Sequence, residues 1–167
     1  WKDRNVLRKP SASQFRNISF SLFKHQKNAL SDIQNSREAG KDTFLLVLPT
    51  GTGKTEVFIA DHYRQRKEGR AERALVIVPF KDLRTQTKLR FLERNSCLNI
   101  SSDITDLKAD VIVQTTQAIQ RSFSSLSSDH FDYIVVDEAH HAPAQGLKRV
   151  LEHFKPKTLL GCTATDK

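Results

Sequence analysis

Five short runs of Val, Ile and Leu most constrain what this chain can fold into. They are TFLLVL (Thr43–Leu48), RALVIV (Arg73–Val78), DVIVQT (Asp110–Thr115), YIVVD (Tyr133–Asp137) and TLLGC (Thr158–Cys162). Each is continuous rather than alternately apolar and polar, the pattern of strands covered on both faces, as in a parallel sheet. Amphipathic stretches separate them. Leu22–Gly40 sets Phe23, Ala29, Leu30 and Ile33 near helical spacing and stops on a glycine. Thr55–Lys67 and Phe80–Glu93 read the same way, and Ala144–Phe154 is a shorter version. Strands alternating with helices predict an α/β fold with a mostly parallel sheet, right-handed crossovers and three α/β/α layers.

Three segments lack this order. Residues 1–21 have no periodicity and read as an arm or a linker, leaving 22–167 as the domain proper. RQRKEGRAER (Arg64–Arg73) is a charge run, read as a solvated helix end and loop. RSFSSLSSDHF (Arg121–Phe131) is serine-rich and reads as a loop with a short helical turn.

The first strand runs straight into PTGTGKT, and helical spacing resumes at EVFIADHYRQR. A strand, a glycine-rich turn and a helix start are the context of a phosphate-binding loop. The usual pattern has a glycine where this chain has Leu48; the turn can still be built by Gly51 and Gly53, which permit positive φ and close backbone approach to phosphate oxygens. The helix N-terminus adds partial positive charge. The candidate nucleotide contacts are Thr50, Gly51, Thr52, Gly53, Lys54 and Thr55, with Lys54 placed for the β and γ phosphates and the Thr55 hydroxyl for Mg²⁺.

A second strand bearing an acid completes such a site. YIVVDEAHH ends on Asp137 and Glu138, and parallel strands gather their carboxyl ends on one edge, so Asp137 is expected to face Thr55. Asp137 then binds Mg²⁺ directly or through water, and Glu138 orients and deprotonates the attacking water. His140 and His141 invite a transition-metal reading, but no third ligand stands at useful spacing.

Taken in order, LPTGTGKT, DEAH and GCTATDK resemble the first RecA-like domain of superfamily 2 helicases and translocases. The doubled histidine of DEAHH is similar to the branch with type III restriction-subunit-like and XPB-like members. The resemblance covers Leu22–Thr165. It implies a RecA-like phosphate-loop NTPase domain that uses ATP and Mg²⁺. It assigns Gln26 of LFKHQ to the adenine edge, although residue type alone makes Gln26 only a helix-surface residue. IVPFKDLRTQ resembles a motif that touches nucleic-acid backbone, which brings in Pro79, Lys81, Arg84 and Gln86; the same residues also suit a solvated helix start. VQTTQAI resembles a further strand-binding motif with Thr115 at the matching position. Thr163 and Thr165 of T-A-T imply coupling between the nucleotide site and strand movement, and His140 of DEAH belongs to that layer. The family usually continues T-A-T-P; here Asp166 and Lys167 follow.

The 167 residues carry 27 Lys and Arg against 19 Asp and Glu, a net charge of +8. That balance suits a polyanion partner and equally a solubilising surface. The resemblance implies nucleic acid as partner, DNA ahead of RNA, and a second RecA-like domain in the parent chain to supply arginine fingers. No apolar run spans a bilayer and no signal-peptide core opens the chain, which points away from membranes. Cys97 and Cys162 suggest neither a disulfide framework nor a zinc site, which fits a reducing cytoplasm. The chain has no Met, as an excised fragment would, and a mature or renumbered chain would read the same way.

The reading that follows is the ATP-binding motor domain of a nucleic-acid helicase or translocase. The alternatives are a binding module without motor chemistry and the translocase part of a restriction-type nuclease. A small-molecule kinase fares poorly, because no segment offers an acceptor pocket or a lid.

Overall fold

The computed structural model describes residues 20–138 and 144–164. The elements are α1 (Lys24–Glu38), β1 (Thr43–Val47), α2 (Lys54–Lys67), β2 (Ala74–Val78), α3 (Lys81–Arg94), β3 (Ile100–Ser101), β4 (Val111–Thr115), α4 (Thr116–Ser122), a 3₁₀ turn (Phe123–Ser125), β5 (Tyr133–Val136), α5 (Ala144–His153) and β6 (Thr158–Thr163). The strands form one six-stranded sheet in the order β1-β6-β5-β2-β4-β3, every pairing parallel.

All five expected strands are present, each within a residue or two of its expected limits. The sequence reading missed β3 and α4. β3 has two residues, too few for a hydrophobic run to register, and α4 follows β4 directly, its N-cap being the last residue of that strand.

Period-two alternation inside each apolar run divides the core. Val76, Val78, Val111, Val113, Val135 and Leu160 pack under α1, α2 and α3 with Ile33, Phe58 and Phe91. Leu75, Ile77, Ile112, Ile134 and Val136 face α4 and α5, meeting Ile119, Leu147, Val150 and Phe154. Both faces of the central strands are thereby filled, and β2, β4 and β5 are buried at every position. At about 25 cal/mol per Å² of apolar surface, such strands dominate the folding energy.

The charge run is not the solvated stretch expected. Arg66 and Arg73 are buried, while Lys67, Glu68, Gly69 and Arg70 are exposed. Arg66 donates to Asp110 Oδ1 at 2.6 Å and to the Glu72 carbonyl at 2.7 Å, and Arg73 donates to the Asp106 carbonyl at 3.1 Å. Partners distant in sequence reverse the local expectation. Cys97 and Cys162 are free thiols, one exposed and one buried. No helix among the described residues is long and apolar enough to cross a membrane.

Candidate nucleotide and metal site

The carboxyl end of β1 turns through Pro49–Gly53 into α2. Gly51 and Gly53 hold φ of +78° and +82°, the left-handed region that glycine enters without penalty, and Gly53 is the N-cap of α2. Thr52 closes the turn, its N–H and its hydroxyl both donating to the Pro49 carbonyl, at 3.3 and 2.6 Å. The first N–H groups of α2 have no partner within their own helix and point out of its N-terminus. The loop thus adopts the expected geometry with Leu48 in place of the usual glycine. Leu48 belongs to the strand end, its N–H donating to the Thr163 carbonyl at 3.2 Å.

A prop from α1 supports the loop from behind. Gln26 is buried; its Nε2 donates to the Thr52 carbonyl at 2.9 Å while its Oε1 accepts from the Phe23 N–H at 2.9 Å. The Nε2 of His25 lies 3.0 Å from the same Thr52 carbonyl. A Cβ at position 53 would push the Gln26 amide off the Thr52 carbonyl, and the positive φ is the firmer reason for glycine there. The resemblance singles out Gln26 for the adenine edge, whereas residue type alone puts it on a helix surface and the packing against the loop buries it; His25, whose neighbour in space is 27 residues away, carries no signal.

On the open side, Gly51, Gly53, Lys54, Thr55, Asp137 and Glu138 line one cleft of about 490 Å³. Asp137 faces the Thr55 side as its position at the end of β5 predicts, although β6 lies between β5 and β1. Lys54 is nearly buried, and its Nζ stands 3.2 Å from Glu138 Oε1. Glu138 carries φ of +50°, the one non-glycine residue in that region among the described residues. Its N–H donates to Asp137 Oδ1 at 3.0 Å, so the two acids brace each other at the strand's end. Cys162 lies behind them; burial and then the Asp137 carboxylate push its thiol well above the ordinary value.

The remaining predicted residues are spread along the same sheet edge. Gln86 lies on the cleft wall formed by α3. Pro79 follows β2, and Lys81 opens α3 and is exposed. Arg84 is engaged, donating to Gln114 Oε1 at 3.1 Å. Thr115 is buried and caps α4, its hydroxyl accepting from the Ala118 N–H at 3.3 Å. Thr163 ends β6 beside Val47. Thr50 is exposed on the loop. His140 and Thr165 lie outside the described residues. The rest of the α3 wall, Leu83, Thr87, Leu89, Arg90 and Glu93, was not anticipated; its signal is only the three- and four-residue spacing of a helix face.

The donor set suits a magnesium ion held together with a phosphate chain. No cluster of three or more His, Cys, Asp or Glu able to hold a metal occurs among the described residues. Mg²⁺ needs no such cage; one or two protein oxygens plus substrate phosphates and water suffice. Thr55 and Asp137 in one cleft beside a buried lysine match that requirement.

A family profile described as "Type III restriction enzyme, res subunit" matches residues 19–167. The chain belongs to that family. Among its curated relatives is the type I restriction enzyme EcoAI endonuclease subunit of Escherichia coli, 29% identical over 154 residues. Another is the DNA 3'-5' translocase XPB2 of Sulfurisphaera tokodaii, 30% identical over 128 residues. These alignments cover 86% and 74% of this chain but only 19% and 27% of the relatives, so the chain spans a minor part of their length. The Sulfolobus solfataricus SWI2/SNF2 ATPase core in complex with dsDNA superposes on 90% of this chain and 33% of its own, with a TM-score of 0.76 at 24% identity. That likeness shows the RecA-like fold shared by the res-subunit family and these ATPase cores.

Proposed function

We propose that residues 22–167 form the first of two RecA-like lobes of an ATP-dependent nucleic-acid helicase or translocase, with residues 1–21 as an arm ahead of it. The observation that carries the reading is the convergence of Lys54, Thr55, Asp137 and Glu138 on one cleft at the carboxyl edge of the sheet, with Lys54 and Glu138 already 3.2 Å apart.

In this reading the N-terminus of α2 and the N–H groups of Gly51–Thr55 bind the phosphates, and Lys54 leaves Glu138 for the γ-phosphate. Glu138, released, accepts a proton from the attacking water. Thr55 and Asp137 would hold Mg²⁺, which neutralises charge on the β and γ phosphates when bound. Gln26 keeps the loop in shape and offers its remaining capacity to the adenine edge. Pro79, Lys81, Arg84, Gln86 and Thr115 form the edge that meets nucleic-acid backbone, while His140, Thr163 and Thr165 couple it to the nucleotide site. The relative named a DNA translocase and the ATPase core bound to dsDNA favour DNA over RNA, and the restriction-enzyme relative favours a translocase within a nuclease as the second reading. A cytoplasmic site of action completes the proposal.

The test has two arms. The 167-residue chain should bind a fluorescent ATP analogue with Mg²⁺ and lose that binding on Lys54→Ala. Its turnover should stay slow even with DNA, because an arginine finger from a second lobe is worth roughly 10³–10⁵ in rate. Brisk DNA-stimulated hydrolysis by this chain alone would falsify the half-motor reading.

A further inference from the structure

The cleft wall opposite the acids is α3, and charge ties the foot of that helix to the start of α2. Glu56 is the third residue of α2 and the neighbour of Thr55, whereas Arg90 and Arg94 are the tenth and fourteenth residues of α3. Arg94 Nη2 lies 2.7 Å from Glu56 Oε2, and Arg90 Nε lies 3.3 Å from Glu56 Oε1. Because early α2 meets late α3, the first two turns of α3 stand beyond the start of α2, by about 10 Å at 1.5 Å per residue. This overhang places Leu83, Gln86 and Thr87 along the cleft and carries exposed Lys81 at its tip.

The cluster differs from an ordinary surface pair in two respects. Glu56 has a side chain only 15% exposed and sits one residue from the hydroxyl assigned to the metal. There it is shared by two cations of the neighbouring helix rather than held by one. The second difference is that each carboxylate oxygen meets its own cation, Oε1 beside Arg90 and Oε2 beside Arg94, one turn apart on α3, so both oxygens tie α2 to that helix.

We propose that Glu56, Arg90 and Arg94 form the joint through which α3 passes nucleic-acid contact at Lys81 to Thr55, making Glu56 and Arg94 positioning residues for ATP hydrolysis. The inference rests on the motor reading above. Backbone phosphate drawn to Lys81 tilts the overhang about its foot. Glu56 follows the two arginines, and the first turn of α2 follows Glu56.

The experiment uses the parent protein carrying both lobes and measures ATP turnover with and without duplex DNA, DNA affinity by anisotropy, and ATP-analogue affinity. Arg94→Gln is expected to lower the DNA-stimulated increase in kcat about five- to tenfold, in the range of ordinary coupling free energies. Basal kcat and both affinities should stay within about twofold, since a coupling defect spares each site alone. Glu56→Gln should lower stimulation further, and Arg94→Lys, which keeps the charge, should restore most of it. Full stimulation in both Arg94→Gln and Glu56→Gln overturns the joint. So does a loss that merely tracks weaker DNA or nucleotide binding, or a fall in basal turnover accompanied by a lowered Tm. A wild-type parent that DNA does not stimulate overturns the motor reading itself, and that result is visible before any variant is compared.

Discussion

Two edges of the same sheet use ion pairs to opposite ends. At the carboxyl edge, Lys54 and Glu138 meet at 3.2 Å in an open cleft, on a residue with a left-handed backbone. At the other edge, Asp61 is fully buried and grips Arg37 through two hydrogen bonds of 3.0 and 2.8 Å, while the Tyr133 hydroxyl donates to Asp61 Oδ2 at 2.7 Å. The first pair borders the cleft, with 7% of the Lys54 and 21% of the Glu138 side chain exposed, and under the proposed function each partner has another task once phosphate arrives. The second pair is bidentate and dry, and joins α1, α2 and β5. The contrast shows that an ion pair's role follows from its burial and from its remaining bonding capacity, not from its residue types.

The largest expected effects lie in exchanging what the two edges can tolerate. Glu138→Gln in the two-lobed parent should reduce kcat about 10²–10⁴-fold, the usual worth of a general base, while ATP-analogue binding survives. Rapid-quench turnover beside equilibrium titration checks this, and unchanged kcat would remove Glu138 from the role of base. Arg37→Ala should act in the reverse sense. It leaves Asp61 as a buried, half-satisfied carboxylate and should cost about 3–5 kcal/mol of stability. Urea denaturation of this chain measures the loss. Nucleotide affinity of the fraction that remains folded should not change, because Asp61 lies at the far end of the sheet.

How much of each edge was legible follows from the same contrast. The meeting of Gly51–Thr55 with Asp137–Glu138 at the carboxyl edge could be read because each set is consecutive and stands at the end of a run apolar enough to be a buried strand. The opposite edge could not. Asp61, His62, Gln65 and Arg66 look like the polar face of α2, yet α2 lies between α1 and α3 and buries them all. Their partners stand 24, 72 and 44 residues away for Arg37–Asp61, Tyr133–Asp61 and Arg66–Asp110. No local pattern signals such pairings. The Glu56–Arg90–Arg94 cluster escaped for the same reason, being a contact between two helices that each look solvated alone.

A pH titration separates the edges more gently. His62 is enclosed by Phe91 and Tyr133 rings, and burial, with Arg66 nearby, pushes it down to about 3 from 6.5. Between those values the unfolded chain binds a proton that the folded chain refuses, so stability is lost as pH falls below 6.5. From pH 6.5 to pH 5 that loss should be about 1.5 kcal/mol. His130, pushed down to about 4 by burial and Arg73, adds to the same slope. Thermal melts of His62→Phe against the parent sequence test it: the variant should show a flatter decline, and parallel curves would mean that His62 does not carry the slope.

The smallest effect is the most specific to the cleft. A non-glycine residue in the left-handed region costs roughly 1–2 kcal/mol, and Glu138 bears that cost at φ of +50°. Glu138→Ala and Glu138→Gly both delete the carboxylate and its pairing with Lys54, so the comparison between them isolates the backbone. In an ordinary strand or helix the glycine variant would be the weaker by about 0.5–1 kcal/mol. At position 138 the order should invert, with Gly more stable than Ala by about 1 kcal/mol in chemical denaturation. The two variants should be equally inactive, since neither can take a proton from water. An Ala variant as stable as the Gly variant would mean that the turn relaxes once the Lys54 contact is gone. In that case the strain would come from the ion pair, imposed on the backbone through the side chain. If the order inverts as expected, the strain resides in the chain's path from β5 and is present whether or not an acid stands there.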